Sequence, residues 1–259
     1  MGIYLPPPFL FLCFILFLSC PKFTLAQTVT VAVGDWPPYI TQELKHDGVV
    51  SHIISDVFKE MNMMPVVKFL PWTRAYKDTA SGSFTATGVW MHKTERENDF
   101  IYSDAILTEQ FVFFHKTSFK FNWNSISDLT GIKMGGSMAS SYGPELDIAL
   151  KKGLVEMERI TYPRQNFRKL LINRIQLHPL EINVGYSSLK KHFTLKEQAK
   201  ITHHPKPLLN NLSYVLFPKQ LKTSKSLVLH FNKVLAKFKA TGQYDQYFKD
   251  FKAGRYNKK

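Results

Sequence analysis

The fold is decided by three segments near the start of the chain: Thr28-Val-Thr-Val-Ala-Val33, Val49-Val-Ser-His-Ile-Ile-Ser-Asp-Val-Phe-Lys-Glu-Met-Asn62 and Val66-Val-Lys-Phe-Leu70. The first is a β-branched run that stops at Gly34, which predicts a buried strand followed by a loop. The second has apolar residues at helical spacing and predicts an amphipathic helix. The third follows Pro65 and predicts another strand. A strand, a helix and a strand in this order form a βαβ unit, which builds a parallel sheet.

The same alternation continues to the end of the chain. We expect further helices at 74–81, 146–152, 167–174 and 224–241, and further strands at 85–90, 109–115, 132–134, 183–186 and 213–217. The strands at 110–115 and 213–217 separate one α/β pattern from a second and are the natural crossings between them. We therefore predict an α/β fold of two lobes, one formed by 27–114 with 217–259 and the other by 115–216. Ligands of open α/β sheets bind at the carboxyl ends of the strands, so we expect the site in the cleft between the lobes.

The beginning of the chain is typical of an export signal. Nearly every residue from Phe9 to Leu18 is apolar, which fits a signal peptide and is shorter than the roughly 20 residues that span a bilayer. Small residues at Thr24 and Ala26 are those that a signal peptidase recognises. We expect residues 1–26 to be removed by cleavage near Ala26. Because residues 1–8 carry no Lys or Arg, an uncleaved membrane anchor is the alternative.

Cysteine and histidine usage argues against a metal site. Both cysteines, Cys13 and Cys20, lie inside the predicted signal, so the remaining chain has no thiol, as suits an oxidising compartment. Of the nine histidines, His203 and His204 are adjacent and no pair has the His-x-x-x-His spacing. We expect no metal and no cofactor. No nucleophile elbow, phosphate loop or dinucleotide fingerprint is present, and we expect no enzyme activity.

The chain is strongly basic. Its formal net charge is +14, and removal of residues 1–26 takes away only Lys22. Such a charge suits nucleic acid, an anionic surface or an anionic small ligand. The densest basic groups are dispersed: Lys151-Lys152, Lys190-Lys191 and Lys258-Lys259. This dispersal argues against nucleic-acid binding.

Five segments together resemble the periplasmic solute-binding proteins of family 3, which include the polar amino-acid receptors of bacterial ABC uptake systems. They occur in the family's order and cover nearly all of the chain after the signal: Val31-Ala-Val-Gly-Asp-Trp-Pro-Pro-Tyr39, Gly48-Val-Val-Ser-His-Ile-Ile-Ser-Asp56, Thr94-Glu-Arg-Glu-Asn-Asp-Phe-Ile-Tyr-Ser-Asp104, Asp128-Leu-Thr-Gly-Ile-Lys-Met-Gly135, and Phe231-Asn-Lys-Val-Leu235 with Gly242-Gln-Tyr-Asp-Gln-Tyr247. The resemblance implies a type II periplasmic-binding-protein fold, in which each lobe is a mixed sheet flanked by helices.

The resemblance also implies a function. It suggests a monomeric periplasmic protein that captures a small polar solute bearing a carboxylate, by hinge closure, for an inner-membrane ABC permease. One alternative is a receptor that presents its closed state to a membrane signalling partner. A second is a periplasmic dehydratase-like enzyme on the same fold, with Glu181 and His178 as its acid–base groups.

Arg96 is the first candidate for the binding site. In the family the arginine of this motif holds the carboxylate of the ligand, and a guanidinium fork suits a planar two-oxygen anion. The alternative is a surface arginine that pairs with Glu95 or Glu97. Arg74 is a candidate for a second anion contact, or for an ordinary salt bridge.

Aromatic residues stand where the resemblance implies the walls of the pocket. These are Trp36, Tyr39 and Trp72, whose flat rings exclude water and can pack against aliphatic, aromatic or cationic groups. Packing within the core is the alternative for each.

A loop rich in small residues, Gly135-Gly-Ser-Met-Ala-Ser-Ser-Tyr142, leads into a predicted helix. Free backbone N–H groups and the positive helix end predict an anion site there, with hydroxyls from Ser137, Ser140 or Ser141. Helix capping by the same serines is the alternative.

The chain departs from the family in two places. Gly88-Val-Trp-Met-His-Lys93 stands where the family has Thr or Ser before its Glu-Arg motif, so Trp90 and His92 are candidates to line the pocket instead. The family also has a late acidic residue that holds the ammonium of the ligand, and here only Glu181 is near its place.

Overall fold

The computed structural model describes residues 1–3, 27–138, 140–162 and 164–258. Apart from residues 1–3, the predicted signal peptide lies outside these ranges, and so do Cys13, Cys20 and the predicted cleavage site at Ala26. Within the described ranges, no helix is long and apolar enough to cross a membrane.

The elements alternate as an α/β fold requires. The strands are β1 (Gln27–Val33), β2 (Met63–Phe69), β3 (Ala86–Met91), β4 (Phe100–Tyr102), β5 (Leu107–Lys116), β6 (Met134–Ser137), β7 (Met157–Ile160), β8 (His178–Glu181), β9 (Ile201–His203) and β10 (Leu209–Pro218). The helices are α1 (Val49–Glu60), α2 (Trp72–Ala80), α3 (Pro144–Lys151), α4 (Arg164–Leu171), α5 (Ile182–His192), α6 (Leu195–Gln198), α7 (Ser224–Ala240) and α8 (Gln243–Lys252). Short 3-10 helices cover Lys45–Asp47, Thr94–Asn98 and Ile126–Leu129.

The first lobe is built on the βαβ unit that the sequence predicts. Strand β1 pairs in parallel with β2 from Gln27↔Met63 to Val33↔Phe69, and β3 pairs in parallel with the other edge of β1. Helix α1 crosses between β1 and β2 and buries an apolar face that includes Ile53, Ile54 and Phe58, each fully inaccessible to solvent. Complete burial of such a side chain contributes about 1.5–3 kcal/mol to folding, so the apolar spacing of the helix fixes which face meets the sheet.

The second lobe has a smaller sheet of its own. Strands β6 and β7 pair in parallel from Met134↔Met157 to Ser137↔Ile160. Leu177, the residue before β8, forms a bridge with Met134 of β6. A separate apolar core packs in this lobe, and Met134, Leu146 and Leu177 are among its buried members.

Two long strands run through both lobes and form the predicted crossings. Strands β5 and β10 pair antiparallel with each other from Leu209↔Phe111 to Ser213↔Leu107. Beyond this paired segment, β10 continues along β3 and β4 of the first lobe, whereas β5 continues along β8 and β9. The α/β two-lobed fold is therefore confirmed. The lobe boundaries remain a prediction, and the strand pairing favours a first boundary near Phe111 instead of at 114.

The predicted strand at 183–186 is wrong, because these residues lie in helix α5. The side chain of Glu181 caps the helix by accepting a hydrogen bond from the backbone N–H of Val184 at 2.8 Å. A short apolar run cannot be assigned to a strand or a helix by periodicity alone, and the strand of this region is β8, just before it. Gly185 is required here, since an added Cβ would lie 2.2 Å from the Phe114 ring.

Candidate functional site

A cavity of about 380 Å³ lies between the two lobes. Its walls come from the first lobe, from the crossing strands and from the second lobe. The lining residues are Asp35, Trp36, Trp72, Val89, Trp90, Met91 and Arg96, then Glu109, Phe111 and Ser213, then Ser137, Met138, Ser140, Ser141, Tyr142, Thr161, Leu180, Glu181 and Val184. The structure thus brings most of the predicted site residues to one cavity, where a ligand would be enclosed from both sides.

Three tryptophans form the aromatic wall of the first lobe. Trp72, the first residue of α2, meets Trp90 of β3 edge to face with the ring centroids 5.1 Å apart. Trp36 lies in the loop after β1 and lines the same cavity. Gly34 allows this arrangement, because a Cβ there would lie 2.2 Å from the Trp72 indole. The indole can therefore pack directly on the backbone at the end of β1.

Tyr39 supports this wall from behind and does not line the cavity. It is buried, and its ring centroid is 4.9 Å from that of Trp36. Its hydroxyl donates a hydrogen bond to Oε1 of Glu181 at 3.1 Å. Tyr39 is therefore a contact between the lobes.

Arg96 lies on the 3-10 helix after β3, with its guanidinium at the cavity wall. Its Cζ atom is 4.8 Å from the centroid of the Trp90 ring, a cation–π arrangement, and Nη1 donates a hydrogen bond to the Met91 carbonyl at 2.5 Å. Glu97 pairs instead with His92 at 2.7 Å. No ion pair to Arg96 occurs within the described part of the chain, so its charge is available to an anion in the cavity.

Arg74 and His92 are not brought to the cavity. Arg74 is exposed and pairs with Asp78 at 3.1 Å on the outer face of α2. Two residues along a helix correspond to a rotation of about 200°, so with Trp72 facing the cavity Arg74 faces away from it. His92 is exposed and paired with Glu97. The structure therefore favours the salt-bridge alternative for Arg74.

The serine loop lies on the opposite wall and is held from within the second lobe. Nη1 of Arg159 donates to the carbonyls of Ser137 and Ser140, both at 2.8 Å. The N–H of Ser137 donates to the Tyr142 hydroxyl at 2.6 Å, and the Ser141 hydroxyl donates to Asp147.

This bonding changes the anion site that the sequence predicts for the loop. The N–H groups of Met138, Ser140 and Tyr142 also have partners inside the lobe: Ile160, Ser137 and Asp147 respectively. Since these donors are engaged, the hydroxyls of Ser137 and Ser140 remain as candidate ligand contacts among these residues.

Two buried carboxylates face the cavity beside the crossing strands. Glu109, on β5, is 4% exposed, and Glu181, at the end of β8, is 1% exposed. Burial raises the pKa of Glu109 to about 7 and also raises the pKa of Glu181. The charge of Glu181 also disfavours that of Glu109, so this side of the cavity favours a cation or a proton.

His178 lies away from the cavity. It is fully buried on β8, where its Nδ1 forms a hydrogen bond with the Gly135 carbonyl at 2.8 Å. Burial lowers its pKa to about 4. In the described ranges, no group of three His, Cys, Asp or Glu residues is arranged to hold a metal ion.

Sequence reasoning missed Glu109 and Ser213. A usable signal was the alternation along β5, where Leu107, Glu109 and Phe111 share the buried face. A charged residue on a buried strand face is unusual and points to a binding role.

Residues 29–253 match the model of the bacterial extracellular solute-binding proteins, family 3. The chain belongs to this family. A search of curated protein sequences found no significant match.

Solved structures share the fold of this family member over most of its length. An ancestral arginine-binding protein bound to arginine is 17% identical with a TM-score of 0.70, covering 87% of this chain and 98% of that one. The P235GK mutant of the arginine-binding protein ArgBP from T. maritima is 14% identical with a TM-score of 0.69, over 87% and 95%. A histidine kinase sensor domain with similarity to periplasmic binding proteins is 14% identical with a TM-score of 0.71, over 87% and 96%. These identities establish the fold alone.

Proposed function

We propose that this solute-binding protein captures an amino acid or a related small carboxylate between its lobes. The observation that carries the proposal is Arg96, a guanidinium at the cavity wall that stacks on Trp90 and has no acidic partner among the described side chains. A charge held in this way attracts an anion more strongly than an exposed arginine does, because the surrounding walls displace water.

The geometry around Arg96 supports binding of a carboxylate. Its Nη1 is held by the Met91 carbonyl, so the fork is oriented before a ligand arrives and less freedom is lost on binding. The remaining guanidinium N–H groups can bind two carboxylate oxygens at once. Trp36 and Trp72 would enclose the rest of the solute.

Capture would proceed by closure of the lobes about the crossing strands. The sequence predicts hinges near 113–117 and 211–216. The pairing of Leu107–Phe111 with Leu209–Ser213 supports the hinge near 211–216. It favours a position near Phe111 for the other hinge instead of 113–117, because beyond Phe111 strand β5 already pairs with β8 and β9. A ligand that contacts both walls would bind the closed state more tightly and shift the population toward it.

We propose that the exported, monomeric protein delivers its solute to an ABC permease of the inner membrane. The alternative, a receptor for a membrane signalling partner, is supported by the shared fold of the histidine kinase sensor domain. The dehydratase-like alternative has less support: His178 is enclosed in the second lobe, and Glu181 is engaged as a helix cap.

A thermal-shift screen tests this function. The purified protein is heated with L-amino acids, mono- and dicarboxylates, and polyamines, and carboxylate-bearing compounds are expected to raise the midpoint. Arg96→Ala should abolish that rise while the empty protein keeps its circular dichroism spectrum. Arg74→Ala is the matched control, because it removes an arginine outside the cavity and should leave the rise intact. An undiminished rise in Arg96→Ala would contradict the proposal, as would a rise produced only by compounds without a carboxylate.

A further inference from the structure

Glu109 is a buried carboxylate for which the proposed function gives no role. It lies on the inward face of β5, within the segment where the two crossing strands pair. Its side chain lines the cavity although the residue is 4% exposed. An ionised carboxylate in such a place is costly unless a cation or several donors compensate it.

The hydrogen-bonding groups beside Glu109 are neutral. Asn211, directly opposite on β10, donates a hydrogen bond to its Oε2 at 2.9 Å, and the same amide donates to the Ser213 hydroxyl at 3.1 Å. No Lys, Arg or His pairs with Glu109 in the part of the chain that the structure describes. The charge of this carboxylate is therefore left for a group that enters the cavity.

Glu181, which lies near the place of the family's ammonium-binding acid in the sequence, has a different environment. Its Oε1 accepts hydrogen bonds from the Tyr39 hydroxyl at 3.1 Å and from Asn183 Nδ2 at 3.1 Å, and its Oε2 accepts from the N–H of Val184 at 2.8 Å. These donors fix Glu181 as a cap of α5 and a contact between the lobes. Glu109 has fewer donors and faces the same cavity.

We propose that Glu109, with Asn211 and Ser213, forms a cation subsite, and that the solute carries a protonated amine or guanidinium group as well as its carboxylate. The inference rests on the proposed function for the Arg96 end of the solute. Glu109 and Glu181 line the cavity together with Asp35, whereas Arg96 is the one basic side chain among its described lining residues. This balance favours a zwitterionic or net cationic solute over a simple anion, and the tryptophan wall suits a cation equally well.

The subsite has a consequence for pH. The groups that face Glu109 are Glu181 from β8 and Tyr39 from the first lobe, with Asp35 and Arg96 on the cavity wall. Burial, together with a smaller contribution from repulsion by Glu181, raises the pKa of Glu109 to about 7. A bound cation lowers it, so binding at pH 7 should release about half a proton, and affinity should rise with pH until Glu109 is ionised.

The test compares sets of matched compounds on the purified protein. The panel contains L-arginine, L-lysine, L-glutamine and L-leucine, then the analogues that lack the α-amine (5-guanidinopentanoate, 6-aminohexanoate, glutaramate and 4-methylpentanoate), and the carboxylate-free amines agmatine and putrescine. Thermal shift gives the hits. Calorimetry of each hit in two buffers of different ionisation enthalpy then gives its affinity and the protons released.

Glu109→Gln keeps the size of the side chain and an acceptor for Asn211 while removing the charge. It should weaken binding of cationic hits by about 30-fold or more and abolish proton release. Glu156→Gln makes the same chemical change at an exposed residue that does not line the cavity and should alter neither.

The outcomes separate the inference from the proposed function. Hits without a cationic nitrogen that bind Glu109→Gln as tightly as the parent would overturn the cation subsite and leave the Arg96 function standing. A second outcome is that only agmatine and putrescine bind, and that Glu109→Gln abolishes their binding whereas Arg96→Ala does not. This outcome would support the cation subsite and overturn the carboxylate function. An absence of any hit, also from the wider screen of amino acids, carboxylates and polyamines, would overturn both.

Discussion

The hydroxyl of Tyr39 and the Oε1 atom of Glu181 are 3.1 Å apart and join the two lobes by a hydrogen bond. Asn183 donates to the Tyr39 hydroxyl as well, at 2.7 Å. Burial raises the pKa of Tyr39, and its closeness to Glu181 raises it further, so the phenol stays protonated and acts as the donor. The position of the lobes is thus set in part by a polar contact directly behind the aromatic wall.

Tyr39→Phe removes this contact and keeps the ring. We expect a loss of about 1–2 kcal/mol in the free energy of unfolding, because the buried carboxylate of Glu181 loses a donor. Urea denaturation measures it. Tyr186→Phe is the control: it deletes an exposed hydroxyl that pairs with His203 inside the second lobe, where the effect should stay within about 0.5 kcal/mol. Equal losses of unfolding free energy in the two variants would show that the hydrogen bond between the lobes stabilises the fold no more than a surface hydrogen bond does.

Gly34→Ala tests the close approach of Trp72 to the backbone. The new Cβ would lie 2.2 Å from the indole, so the ring must shift, at a cost of about 1–3 kcal/mol. Denaturation gives the cost, and tryptophan fluorescence reports the shift. The same substitution in a Trp72→Ala background should cost much less, because the clash is gone. If Gly34→Ala destabilised the parent and the Trp72→Ala variant equally, the loss of stability would come from the altered backbone at residue 34 and not from a clash with the indole.

Arg159→Lys tests how the serine loop is held. A lysine cannot reproduce the fork geometry with which Arg159 contacts both Ser137 and Ser140. We expect faster amide hydrogen exchange across this loop, with no change in β1. Lys152→Arg exchanges the same two residue types at an exposed position after α3. As the control, it should leave exchange in the loop unchanged. Unchanged exchange in Arg159→Lys would mean that the other hydrogen bonds of the loop, such as that from the Ser137 N–H to the Tyr142 hydroxyl, are sufficient to hold it.

The sequence predicted what depends on local pattern. The β-branched run at 28–33 and the apolar spacing of α1 determine the βαβ unit with little help from distant residues, and the Glu-Arg motif located Arg96. The alternation along β5 could have pointed to Glu109, but its pairing with Asn211 was beyond reach, because the two residues meet only through the antiparallel pairing of strands far apart in the chain. The strand assigned to 183–186 failed for a related reason: the cap from Glu181 and the packing of Gly185 on Phe114 are tertiary features.

The buried His178 makes the protein sensitive to acid. Its pKa is about 6.5 in the unfolded chain, and burial lowers it to about 4 in the folded protein. Between these values the unfolded chain binds a proton that the folded protein does not. The contribution of His178 to stability is therefore fully present above pH 6.5 and is lost as the pH falls toward 4, by about 2 kcal/mol at pH 5.

His178→Gln removes this titration while its amide can still donate to the Gly135 carbonyl, which accepts from Nδ1 in the parent. We expect the variant to be less stable than the parent at pH 7.5, because the fit among Phe167 and its neighbours is altered, yet to lose about 2 kcal/mol less between pH 7.5 and pH 5. Urea denaturation at both pH values measures the difference. His230→Gln, at an exposed position on α7, should follow the parent at both pH values. If His178→Gln also followed the parent, the acid sensitivity would arise from other groups, and the buried carboxylates would be the next to test.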